Sequence, residues 1–168
     1  KQDPATSTVT FAKTFGWAAQ VLSVPNVPQL FVRSDMQGGI AHAVANPPAV
    51  VAGQAVLSGF TPQELTFLCG KNLALYRTEF FMKTIFGTQT ELEIILYAGI
   101  KLARPEFALP AAQEAQVTPV ARVLASKMQP AHVDMLKQAV KVFFDQGAKV
   151  NLKKWLQGVN ATYARAGL

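Results

Sequence analysis

Few side chains in this sequence could do chemistry. Cys69 is the sole cysteine, and His42 and His132, the only histidines, stand ninety positions apart. A thiol nucleophile needs a base to draw off its proton, and neither histidine is near Cys69 along the chain. One cysteine and two scattered histidines do not make the Cys/His spacing of a structural zinc cage. The sequence therefore leads us to expect no metal and no cofactor. Glu91 and Glu93 are two residues apart, and on a helix such a pair does not face one another for acid–base work. An enzyme using Cys69, His42 or His132 with an acid would need these groups to converge in space, and it stands as an alternative. Cys69 falls on an apolar helical stripe and reads as a small buried hydrophobe. A lone cysteine also rules out an internal disulfide and points to a reducing, cytoplasmic setting.

The elements that must position these residues follow from composition and pattern. Of 168 residues, 50% are apolar and only 15% charged, which excludes a disordered tail and suits one compact domain, residues 1–168. The apolar run Ile94–Ile100 is far shorter than the roughly 20 residues a bilayer span requires. No charged-then-apolar leader opens the chain. Its start at Lys1 and stop at Leu168 read as the limits of a domain taken from a longer protein. The net charge of +6 is uneven: residues 1–100 cancel, whereas 101–168 hold ten basic and four acidic residues. Lys127, Lys137, Lys141, Lys149, Lys153 and Lys154 are interleaved with apolar residues as on solvated amphipathic helices. The alternative is a surface for a polyanion or nucleic acid, although no aromatic or Gly-rich recognition motif accompanies it, so nucleic acid is not the favoured partner.

Along the chain, "TFAKTFGWAAQVL" has helical spacing and stops before the turn-rich "SVPNVP". Three short strand candidates follow: "PQLFVRSD", "IAHAVAN" and "PPAVVAGQAVLSG", the last with two prolines that suggest an edge. Residues 59–81 read as a helix. Thr61 is its N-cap, Pro62 occupies the first position, and Glu64 completes a capping box. Leu65, Leu68, Cys69, Asn72, Tyr76 and Phe80 form its stripe. "QTELEIILYAGIKLA" is the next helix, and "PAAQEAQ" reads as a loop before a helix beginning at Thr118-Pro119. Further helices begin at Pro130, ending near Gly147, and at an Asn151 N-cap. The expected fold is α+β, a small three-stranded sheet packed with about six helices.

In this order the phrases resemble the HExxH zinc metallopeptidases of the CAAX prenyl protease and membrane heat-shock protease family, in minimal soluble form. "PQLFVRSD", "IAHAVAN" and "PAVVAGQAVLSG" match the family's strands, and "TPQEL" stands where its catalytic helix starts. The resemblance places Lys71 at the first ligand His, Asn72 at the base Glu and Leu75 at the second His. Asn160, in "GVNATYARAGL", falls at the third ligand, and Ala164 at its supporting Asp. All five positions have lost their chemistry. A lysine ammonium has no lone pair to give a cation, leucine has no donor, and an asparagine amide accepts no proton at neutral pH. Lys71 either pairs with an acid such as Glu79 or Glu93 or runs its stem out to water. The resemblance implies a catalytically inactive relative, a pseudopeptidase acting as a scaffold or a binder of a protein or peptide segment. His42, Ala43, Val44, Ala45 and Asn46 would then line the groove, by strand addition.

Overall fold

Ala49–Gly53, the strand after the two prolines, shares its backbone hydrogen bonds between two neighbours. In the computed structural model, which describes residues Lys1–Leu168, this strand (β3) lies between β1 (Gln29–Arg33) and β2 (Ile40–Ala43), in the order β1-β3-β2. β1 runs parallel to it, pairing Gln29 with Ala49, and β2 runs antiparallel, pairing Ala43 with Ala49. Pro47 and Pro48 thus introduce the central strand and not an edge. They precede the ladder, where their missing N–H groups remove no rung, and the Pro48 carbonyl accepts from the Gln29 amide. Both faces of β3 are covered, and four of its five residues are buried. At the far side of β1 the Gln2 amide donates to the Leu30 carbonyl (2.7 Å), so a segment of the chain's own N-terminus occupies that edge.

Six helices of twelve residues or more accompany this sheet: α1 (Thr10–Val21), α2 (Pro62–Ala74), α4 (Gln89–Ala103), α5 (Ala111–Lys127), α6 (Pro130–Asp145) and α7 (Leu152–Arg165). A single turn, α3 (Met82–Ile85), lies between α2 and α4. No helix is long and apolar enough to cross a membrane. The fold is α+β. The residues group into two compact units, Lys1–Ile85 with Gln157–Leu168, and Phe86–Leu156.

In the first unit α1 and α2 pack together with the sheet. Phe11, Phe15, Ala18 and Ala19 of α1 meet Leu65, Cys69 and Leu73 of α2, with Leu30, Val50 and Ala52 of the sheet in the same core. Each of the larger of these side chains stabilises the unit by about 1.5–3 kcal/mol on burial. The start of α2 is held as its sequence requires: the Glu64 amide donates to Thr61 Oγ1, and the Thr61 amide donates to the Glu64 carboxylate (2.7 Å). The helix is shorter than its apolar stripe. It closes at Ala74, and the Tyr76 amide bonds the Leu73 carbonyl in a tighter turn. That turn takes Tyr76 out of the helical phase and buries it in the core.

In the second unit α5 and α6 both pack on α4. α4 has a capping box of its own at Thr88 and Glu91, a Thr-x-x-Glu signal present in the sequence. α5 is continuous from Ala111 through Pro119, so "PAAQEAQ" is helical and Thr118-Pro119 opens nothing. Two interactions outweigh the amide that Pro119 lacks. Val117 is buried, and the Glu114 carboxylate receives both Lys101 Nζ (2.5 Å) and Thr118 Oγ1 (2.9 Å). The Ala-rich stretch before the proline also has high intrinsic helix propensity. Gly147, at φ +89°, follows the end of α6 in the left-handed conformation that a glycine adopts at no steric cost.

One close backbone approach ties the C-terminus to α2. Gly70 and Gly167 are both buried, and a methyl group on Gly70 would collide with the Ala166 carbonyl oxygen. Gly158, on the exposed side of α7, faces open space. Gly70→Ala is expected to lower stability by about 1–3 kcal/mol through overpacking, whereas Gly158→Ala raises it by about 0.5–1 kcal/mol. Thermal melts of the two variants check this, and an equal gain at both sites would rule out the close approach.

Candidate functional site

The five positions that the resemblance singles out divide between α2 and α7. Lys71 is half-buried, and its ammonium lies over the Tyr163 ring, 5.2 Å from the centroid. Neither of its expected acidic partners is engaged with it: Glu79 pairs with Arg77 and Glu93 accepts from Gln89. A ring face so placed attracts the cation by about 0.5–1 kcal/mol, more where water is excluded. Asn72 donates from Nδ2 to the Leu68 carbonyl one turn back (2.8 Å). Leu75 caps the end of α2, half-buried, and Ala164 is likewise half-buried, while Asn160 is exposed on α7. A lysine, a leucine and an exposed carboxamide do not fit a zinc ion. Nowhere do three or more His, Cys, Asp or Glu side chains gather as a ligand set.

Among the residues weighed for relocated chemistry, Cys69 is fully buried, and burial alone pushes its thiol up to about 12. His132 is exposed on α6. His42 has the most structured surroundings. Its Nδ1 lies 2.9 Å from Tyr76 Oη, which also contacts the Ala49 carbonyl at 3.2 Å. A carbonyl can only accept, so Tyr76 gives its one proton to Ala49 and receives from His42. That fixes His42 as the Nδ1–H tautomer. The two rings are tilted at 47°, with centroids 5.5 Å apart. Burial lowers the His42 pKa from its ordinary value, partly offset by the Asn72 side chain, which interacts with the imidazole. Burial also pushes the Tyr76 phenol up to about 12. The cluster is thus a neutral relay ending on the backbone of the central strand.

The outer edge of β2 begins beside this relay. The Gly53 amide bonds the Gly39 carbonyl, and with the register that follows, Ala41 and Ala43 exchange the ladder bonds with β3. The amides and carbonyls of Ile40 and His42 therefore point the other way, to the side of β2 on which the sheet has no further strand. Val44 follows in the same phase and is 74% exposed. The expected groove residues fall in two cavities. His42, Ala43, Val44 and Ala45 line a small one of about 90 Å³, with Tyr76 and Phe81 opposite. Asn46 lines a larger cleft of about 640 Å³, walled by Pro25, Val27, Pro47, Pro48, Tyr76, Phe81 and Met82. Tyr76, Phe81 and Met82 were not among the groove residues expected from sequence. The signal that could have found them is the aromatic cluster just past the end of α2, where the chain turns back toward the strands.

No family model matches this chain, and neither a curated protein nor a solved structure does.

Because burial holds the folded-state pKa of His42 below its ordinary 6.5, the unfolded chain takes up the proton first as pH falls. The contribution of His42 to stability is complete above about pH 6.5 and declines as pH drops through that value toward the folded pKa. Denaturant midpoints between about pH 7.5 and about pH 5.5 are expected to fall, with a shallower slope in His42→Gln. An unchanged slope in the variant would mean that the imidazole is not buried as described.

Proposed function

We propose that this chain is a non-catalytic binding module, a degenerate relative of the HExxH peptidases that takes an extended polypeptide along the outer edge of β2. The observation that carries this reading is the row of backbone groups on Ile40 and His42, facing away from β3 beside two cavities. Such groups can pair with a further strand. Main-chain hydrogen bonds then supply affinity, and the cavities select side chains.

The relay behind β2 supports the same reading. Tyr76 ties His42 to the central strand, a restraint of the kind that reduces the freedom lost on binding. The chemistry of α2 is consistent with it. A cation over an aromatic ring occupies the helix face where the resemblance would place a metal, and Asn72 donates to its own helix and interacts with His42.

Val44→Pro removes an outward-facing amide and leaves the Ala41 and Ala43 rungs in place. Peptides selected on the whole chain from an unbiased displayed library are expected to bind this variant at least about tenfold more weakly, at unchanged Tm. Undiminished binding would count against strand addition. Metal analysis tests the peptidase kinship of the site separately. After zinc loading and desalting, the chain is expected to retain no stoichiometric metal, and one tightly held ion per chain would show that Lys71, Leu75 and Asn160 have been placed wrongly.

A further inference from the structure

The walls of the larger cleft identify what kind of segment β2 would hold. Its volume, about 640 Å³, leaves room for a large side chain together with neighbouring backbone of a bound segment. None of its lining residues carries a charge: proline, valine and methionine stand beside Tyr76 and Phe81, and the polar groups are the Asn26 and Asn46 amides and the Thr78 hydroxyl. The nearest ion pair in sequence, Arg77 with Glu79, is closed on itself at 3.1 Å and exposed. A charged side chain entering here would lose water and gain no counter-charge, an unfavourable exchange.

The cleft shares walls with the cavity beside β2. Pro48, Tyr76 and Phe81 wall both it and the small cavity beside His42–Ala45. Asn46, in the lining of the cleft, comes three residues after the end of β2, at most about 10 Å of extended chain. A segment paired with β2 therefore brings a side chain to the cleft within a few residues of its paired stretch.

We infer that the segment bound along β2 carries a neutral aromatic side chain that enters this cleft as its anchor. The inference rests on the strand-addition reading and adds the chemistry of the partner to it. An aromatic ring occupies part of this cleft with few rotatable bonds, and against the Tyr76 and Phe81 walls it can make tilted or offset contacts. The Met82 thioether in the lining adds a polarizable contact. The Asn26 and Asn46 amides are suited to the hydroxyl of a tyrosine or the indole N–H of a tryptophan.

A positional-scanning library of extended peptides, titrated against the whole chain, tests this. Phe, Tyr or Trp at one position near the end of the paired stretch is expected to improve affinity at least about tenfold over Ala, as a buried anchor does. Met82→Lys and Asn26→Asp, both at exposed positions, are expected to erase that preference at unchanged Tm. Val44→Pro is expected to weaken aromatic and alanine peptides alike. Peptides that bind, lose affinity with Val44→Pro and show no aromatic preference would overturn the anchor and leave strand addition standing. So would a preference for acidic residues or for runs of proline. A library from which nothing binds would overturn both.

Discussion

The hydroxyl of Tyr76 is buried and must be hydrogen-bonded, and the whole candidate site is arranged around how that need is met. Its proton goes to the Ala49 carbonyl on β3, and its lone pair receives His42 from β2. One side chain, reached by a tight turn after α2, thereby joins a helix end to the central strand and to the free edge. Without that bond the Ala49 carbonyl and the imidazole would each have one partner fewer in surroundings dry enough to raise the phenol and lower the histidine. The walls of both cavities include this same ring. Anchoring of the edge and shape of the clefts in this sense share one side chain.

The helix that leads to Tyr76 is held from its other side by close backbone contact. Gly70 admits the Ala166 carbonyl, and Gly167 lies as closely against Phe67. The end of α7 can then lay Tyr163 under the Lys71 ammonium. Small residues at two positions thus decide whether a cation and a ring far apart in sequence come together.

What could be read from the chain was local. The Thr61-Pro62-Glu64 start of α2 was legible because all its partners lie within four residues. The three strands were visible as short apolar runs, and Cys69 as a buried member of a helical stripe. The order β1-β3-β2 was not legible, since a parallel pairing of Gln29 with Ala49 leaves no mark in either segment. The passage of α5 through Pro119 depends on an ion pair with Lys101 on another helix, so the local Thr-Pro signal misled. At the candidate site, His42 through Asn46 could be placed on a strand and its outgoing loop. The ring opposite them could not, because Tyr76 keeps the helical spacing in sequence but leaves it in space. The partner of Lys71 was likewise hidden, as nothing in the residues near it points to Tyr163.

The two rims of the sheet are not equivalent. Along β1 the N-terminal segment has already taken the Leu30 carbonyl through Gln2, and Ser7 donates to the Gln2 side chain (2.8 Å). The β2 rim carries no such bridge. A sheet that grows on one side alone has a fixed valence: each chain accepts a single addition, and two chains meeting rim to rim satisfy each other and leave nothing to continue the array. Association through the β2 rim therefore ends at a pair, because the rim that each partner uses is then spent.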